Sequence, residues 1–343
     1  MKKRVTIVDV AERAGVAISS ASAALNGRPG VSEATRLRVR DAADTLGFVP
    51  SVRGRSLSAR RAFAVGLVVQ REVEVLEADP FFGAFIGGIE EVLPERGYAL
   101  VLQVSADAHR TELRYRELGA NRRVDGVILN ELQVDDPRIP LVGELSLPAV
   151  GINADEATML PFPAVRQDGG EALTRLVATL VTLGHRRVAH VSGPLEYVHT
   201  WQRRRAWERA LTGAGLRPGR LVVGDFTFDS GRAAADELLT LPADERPTAV
   251  VCVNDLTAVG FMMRAQELGV SVPGDVSVTG YDGIALGTYV RPTLTTVQTS
   301  PRRVGRAAAR QLLDLIEEGA APGAEVEPAQ VVVRDSIGPV PRD

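Results

Sequence analysis

From residue 62 onward, short apolar runs alternate with amphipathic stretches, and this alternation constrains the fold more than any other feature. Strand-like runs fall at 64–69, 99–102, 126–129, 149–152, 187–191, 249–253, 276–278 and 331–333. Helical spacing falls near 82–96, 110–122, 169–183, 202–214, 230–241, 255–268 and 301–317. Strands too apolar to keep a wet face, separated by helices, imply parallel sheets covered on both sides. About 280 residues is too long for one such sheet. Two Rossmann-like lobes are expected, with a ligand cleft between them at the carboxyl ends of the strands.

The first 61 residues read differently. They hold twelve Lys or Arg against five acids, a charge of +7, whereas the rest of the chain carries −10. A small basic head on an acidic body suits a polyanion partner, although a membrane surface would give the same sign. Thr6 can cap a helix with Asp9 at its third position, and Ile7, Val10, Ala11 and Ala14 share one face. Gly15 stops it. Gly15-Val16-Ala17 then leads into a second short helix over 18–25, ended by Asn26-Gly27. Two short helices joined by a tight turn are the helix-turn-helix signature. Ser32 caps a third helix, with Val39, Ala42, Ala43 and Leu46 inside, which Gly47 closes. Small and hydroxyl residues on the second helix pack poorly in a core but fit a DNA major groove. Ile18, Ser19, Ser20 and Ser22 would stand near base edges or phosphates, and the arginines would supply the phosphate term. The basic stretch from Ser51 to Arg61 is either a linker or a marginal helix that folds on DNA, with Leu57 as a minor-groove wedge.

Other classes fall away. Cys252 is the single cysteine, which leaves no intramolecular disulfide and fits a reducing cytoplasm. No run approaches 18 apolar residues, so no membrane span is expected. The four histidines, His109, His185, His190 and His199, show no metal-ligand spacing, and no metal or cofactor is expected. His185, in a connection before a strand, suits a structural hydrogen bond, and His199 is the one histidine placed near the cleft. No Walker A, G-x-G-x-x-G, G-x-S-x-G or H-E-x-x-H motif occurs, which argues against an enzyme.

Residues 5–16, Leu25-Asn26-Gly27, 31–36, 46–50 and Arg55-Ser56-Leu57 resemble, in order and spacing, the head and hinge of LacI/GalR transcription regulators. Ala17, Ala23 and Gly54 depart from that pattern, where serine, arginine and alanine are usual. Farther on, 79–82, 88–98, 183–188, Asn254-Asp255, 272–278, 280–282 and 292–297 resemble the family's effector-binding core, which is similar to periplasmic sugar-binding proteins. The resemblance implies a helix-turn-helix DNA-binding domain at 1–50 and a hinge at 51–61. It implies a periplasmic-binding-protein-like core at 62–343, with one lobe near 62–163 and 294–323 and the other near 164–293 and 324–343. It also implies DNA contacts from Thr6, Asn26, Ser51, Arg55 and Leu57.

For the cleft, polar or aromatic residues near strand ends suggest Asp168, Arg203, Phe226, Asn254 and Asp282. Carboxylates and arginine pair directionally with sugar hydroxyls, and Phe82, Trp201 or Phe226 could stack on a pyranose. The family's ligand positions fall on Asp168, Arg203, Phe226, Asn254 and Asp282 as well. Asp168 and Asp255 could instead cap the helices that follow them. Gly283 and Thr299 depart from the side chains that sugar-binding relatives carry there. The expected protein is a cytoplasmic, homodimeric DNA-binding regulator, and more specifically a repressor on a pseudo-palindromic double-stranded operator. A small effector, most simply a sugar, would set its DNA affinity. A sugar receptor whose head grips a protein partner is the alternative.

Overall fold

The protein is described as a computed structural model over residues 5–27, 29–48, 61–71, 76–77, 79–154 and 160–340. Two compact units divide at Phe63–Ala64. The first is a bundle of α1 (Ile7–Ala14), α2 (Ile18–Leu25) and α3 (Glu33–Leu46). The Asp9 carboxylate accepts from both the Thr6 amide and the Thr6 hydroxyl at 2.7 Å, which fixes the start of α1. Ser32 Oγ accepts from the Thr35 amide at 3.3 Å and starts α3. Gly15 and Gly47, both at φ +64°, end α1 and α3 as left-handed caps. The core is made of small residues: Val10, Ala11 and Ala14 meet Ala21 and Ala24 of α2 and Val39, Ala42 and Ala43 of α3. Alanines let the helices approach closely and leave the other face of α2 outside.

The second unit carries two six-stranded sheets. Its elements in chain order are β1 (Ala64–Gln70), α4 (Pro80–Glu90), β2 (Ala99–Ser105), α5 (Ala108–Ala120), β3 (Gly126–Leu129), α6 (Arg138–Glu144), β4 (Ala149–Ile152), β5 (Ala164–Gln167), α7 (Gly170–Thr182), β6 (Val188–Ser192), α8 (Val198–Gly213), β7 (Leu221–Val223), α9 (Phe228–Leu239), β8 (Ala249–Cys252), α10 (Asp255–Glu267), β9 (Ser277–Asp282), α11 (Leu286–Tyr289), β10 (Thr295–Gln298), α12 (Pro301–Glu318), β11 (Ala324–Val326) and β12 (Gln330–Val332). The first lobe's sheet runs β11-β5-β4-β3-β1-β2, all parallel, and the second runs β12-β10-β9-β8-β6-β7. In each the order reverses at the first strand, the switch point where α/β folds open a crevice.

Three expectations need correction. The second sheet is not wholly parallel, because β12 runs antiparallel to β10. β5, β7, β10 and β11 were absent from the apolar pattern. The chain also changes lobes later than 163, 293 and 323. β5 still belongs to the first sheet, β10 to the second and β11 to the first, so the crossovers follow Gln167, Gln298 and Val326. Each crossing therefore sits just past the carboxyl end of a strand.

Helix packing repeats in the two lobes. A Cβ on Gly88 of α4 would come within 2.0 Å of the Arg302 carbonyl of α12, and one on Gly231 of α9 within 2.0 Å of the Thr257 carbonyl of α10. At both crossings backbone lies directly on backbone. Gly88→Ala or Gly231→Ala should each lower core stability by about 2–3 kcal/mol, because neither helix can move without disturbing its sheet. Urea unfolding followed by the fluorescence of buried Trp207 checks this.

Candidate functional site

In the first unit the outward face of α2 is the candidate surface. Ile18 is half exposed, Ser19 exposed, and Ser20 and Ser22 partly so, while Ala21 and Ala24 turn inward. Thr6 is exposed beside α1. Asn26 is partly committed, since its Nδ2 donates to the Ser22 carbonyl at 2.8 Å. Ser51, Arg55 and Leu57 lie outside the described residues.

In the second unit a cleft opens between the lobes at the carboxyl ends of the strands and encloses about 680 Å³, counting its open mouth. Arg71 follows β1, Asn130 and Glu131 follow β3, and Asn153 follows β4. The other lobe supplies His199 and Arg203 of α8, Phe226 beyond β7, Asn254 beyond β8 and Asp282 at the end of β9. Asp79, Phe82 and Phe85 close it from the start of α4. Glu131, Asn153, Phe226 and Asp282 have φ of +47°, +51°, +72° and +109°. Non-glycine residues rarely adopt this left-handed region, and their gathering at one crevice is strain held where side chains must be aimed.

Five of the six cleft residues expected from sequence, Phe82, Arg203, Phe226, Asn254 and Asp282, are brought together here, with His199 among them. Asp168 is not. It is exposed, and its carboxylate accepts from the Gly170 amide at 2.8 Å, so it serves the start of α7. Asn254 rather than Asp255 caps α10, its Oδ1 accepting from the Thr257 amide at 2.9 Å while Nδ2 donates to the Phe226 carbonyl at 2.9 Å. Trp201 faces outward beneath Arg204 and does not line the cleft. Thr299 donates to the Asp282 carbonyl at 3.3 Å, outside the lining. Arg71, Asp79, Asn130, Glu131 and Asn153 were missed. Arg71, Asn130, Glu131 and Asn153 fall within two residues of an apolar run, so the strand-end rule applied to the second lobe would have found them in the first.

The electrostatics are those of a mostly buried polar site. Burial pushes the carboxyls of Asp282, Glu131 and Asp79 above the usual range, against the pull of Arg203 and Arg71. Arg203 Nη1 donates to the Val253 carbonyl at 2.7 Å, its Nη2 lies 3.7 Å from Asp282, and its guanidinium stacks 3.8 Å from the Tyr281 ring centroid. Burial, with Arg203 and Arg71 beside it, holds His199 well below its ordinary pKa and therefore neutral. Asn130 Nδ2 and Oδ1 and Glu131 Oε2 are buried without a partner. A ligand that supplies both donors and acceptors would satisfy them.

The other titratable groups are structural. His185 joins Thr248 and the Gly338 carbonyl, each at 3.0 Å. His190, pushed down to about 4 by burial, holds the Val251 carbonyl at 2.7 Å. Burial raises the Cys252 thiol, which makes it a poor nucleophile. Among the described residues no cluster of His, Cys, Asp or Glu could hold a metal ion, and no helix is long and apolar enough to cross a membrane.

Asp255 turns into the core beside the cleft and accepts from Thr296 Oγ1 at 2.5 Å and from the Ile284 amide at 2.8 Å. Burial pushes its carboxyl from 3.8 up to about 6. The folded protein thus keeps this proton to higher pH than the unfolded chain, so the group's stabilising contribution is full below the unfolded value and lost as pH rises through the folded one. Asp255→Asn should therefore gain on the parent by about 3 kcal/mol between about pH 4 and pH 7. Paired urea melts across that range test it.

Comparison with known proteins now bears on both units. Residues 6–51 match the model of bacterial regulatory proteins of the lacI family, and 177–337 match a periplasmic binding protein-like domain. The HTH-type transcriptional regulator CelR of Thermobifida fusca is 34% identical, over 98% of this chain and 97% of its own. The chain belongs to the LacI family. Among solved structures, a CelR–cellobiose complex superposes with a TM-score of 0.72 at 31% identity, covering 97% of this chain and 100% of that one. The Lac repressor dimer bound to operator and the anti-inducer ONPF gives 0.82 at 26% identity, covering 97% and 99%. The LacI-family assignment makes the α1–α3 unit a DNA-binding helix-turn-helix domain and the chain a transcription regulator. The two sheets are the family's periplasmic-binding-protein-like core.

Proposed function

We propose that this protein is a repressor whose operator affinity is set by a small sugar bound in the cleft between the two core lobes. The observation that carries the reading is the buried, unpartnered Asn130 amide and Glu131 oxygen beside Arg203, Asp282 and Asn254, a donor and acceptor set suited to hydroxyls. The CelR–cellobiose complex supports it by likeness. Ile18, Ser19, Ser20, Ser22 and Thr6 face the operator, with Asn26, Ser51, Arg55 and Leu57 at its edge and at the hinge. Phe82, Arg203, Phe226, Asn254 and Asp282 contact the effector. The protein acts in the cytoplasm as a homodimer on a pseudo-palindromic site, as the likeness to the Lac repressor dimer suggests.

A thermal-shift screen of the full chain against sugars, sugar phosphates and nucleobases tests the effector class. A cleft ligand at 100 times its dissociation constant should stabilise the core by about 2.7 kcal/mol. A nucleobase that shifts the parent when no sugar does would overturn the sugar assignment.

A further inference from the structure

Arg71 leaves β1 on the first lobe, yet its guanidinium lies 4.6 Å from the ring centroids of both Tyr197 and Phe226 on the second. Those rings and His199 form a triangle with centroids 5.4–5.8 Å apart. Nε and Nη2 of Arg71 both donate to Glu131 Oε1, Nε at 3.0 Å, and only 11% and 14% of the two side chains is exposed. The flanking segments join the lobes directly. The Val134 amide donates to the Glu196 carbonyl at 2.8 Å and the Val198 amide to the Leu132 carbonyl at 2.9 Å, around a bridge between Gln133 and Tyr197. The Arg71 cation thus serves a clasp between lobes, in a cage of the kind that holds cations by the faces of aromatic rings.

The charge of the other cation is also paired, since Arg203 lies 3.7 Å from Asp282 while it donates to the Val253 carbonyl and stacks on Tyr281. Among the described lining residues three carboxyl groups, Asp79, Glu131 and Asp282, share the cleft with these two arginines. Among the buried atoms of the described lining residues, the Asn130 amide and one Glu131 carboxylate oxygen are without a partner. A hydroxyl can donate to Glu131 Oε2 and exchange hydrogen bonds with Asn130. A fully ionised phosphate-ester or carboxylate group has no proton to donate to Oε2, meets guanidiniums whose charge is already paired with carboxyls, and adds negative charge to a site already richer in acids.

We propose that the Arg71–Glu131 pair sets the charge specificity of the cleft, Glu131 withholding the Arg71 cation from ligands, so that the site takes an uncharged, hydroxyl-rich ligand and rejects phosphorylated or carboxylated ones. This rests on the cleft being the effector site.

The test compares the full-length parent with Arg71→Met, Glu131→Gln and the double variant. Thermal unfolding is followed by tryptophan fluorescence in inorganic phosphate against chloride of equal ionic strength. Phosphate bound by the head is common to all four and cancels between them. The parent and Arg71→Met should respond alike, whereas Glu131→Gln should gain an additional rise of about 2 °C or more that the double variant loses. A phosphate-dependent rise in the parent that Arg71→Met abolishes overturns the proposal. So does a Glu131→Gln response equal to the parent's, or one that survives loss of Arg71. The comparison of parent with Arg71→Met stands even if the Glu131 variants fail to fold. If no sugar shifts the parent but Glu131→Gln takes phosphate through Arg71, the sugar reading falls and the charge assignment holds.

Discussion

Ser19→Glu should weaken operator binding by about 100-fold while leaving the head's thermal unfolding unchanged. Ser19 stands on the outer face of α2, whose inner face is held by Ala21 and Ala24, so a longer side chain there meets solvent and not the core. In the proposed complex that face would enter a groove walled by phosphates. A carboxylate there loses a hydroxyl contact and meets repulsion from the DNA, together about 3 kcal/mol, and it should change the slope of log affinity against log salt by about one. Fluorescence anisotropy at several salt concentrations, with circular dichroism of the free protein, separates this from unfolding. An unchanged affinity would remove α2 from the DNA interface.

Arg203→Ala should abolish the response to effector while the protein still binds its operator. Arg203 joins three parts of the second lobe: the Val253 carbonyl at 2.7 Å, the Tyr281 ring at 3.8 Å and the Asp282 carboxylate at 3.7 Å. Removing one partner of a buried pair costs about 3–5 kcal/mol when the other stays charged. Burial already pushes the Asp282 carboxyl upward, and without Arg203 that group takes up a proton, so the loss in stability should fall at or below the lower end of that range. Effector affinity has no such relief, and should fall by about 100-fold or more through loss of charge-assisted hydrogen bonds. Calorimetric titration of parent and variant, beside operator binding with and without effector, measures both. Arg203→Lys keeps the charge without the planar fork and should recover stability but little of the affinity.

Element by element, legibility in the sequence followed burial. β3 and β4, four residues each and wholly buried, stood out as the runs 126–129 and 149–152. β10 did not, because Thr295 and Thr296 are buried yet polar and spend their hydroxyls on the Arg334 carbonyl and on Asp255. β5, β7 and β11 are three or four residues long and only partly buried, so their pattern does not differ from that of a loop.

At the cleft, Phe226, Asn254 and Asp282 were legible because each closes or follows a strand of the second lobe. Asp168 obeyed the same rule and failed it, since the chain crosses between lobes there and its carboxylate faces the following helix. Arg71 could not be read as a lobe-to-lobe contact from sequence at all. Its ring partners lie more than a hundred residues away, and only the three-dimensional approach of the lobes at Gln133 and Tyr197 brings them together.

The most direct test of allosteric control is a closed linkage cycle on the full-length protein. Operator affinity is measured with and without the sugar that the thermal screen returns, and affinity for that sugar with and without a saturating operator selected from random sequence. The two ratios must be equal, and a factor of about 10 or more, some 1.4 kcal/mol of coupling, is expected for a cleft that controls the head. A sugar that binds the cleft tightly, loses affinity in Arg203→Ala, and yet leaves operator affinity unchanged would contradict the control of DNA binding by the cleft.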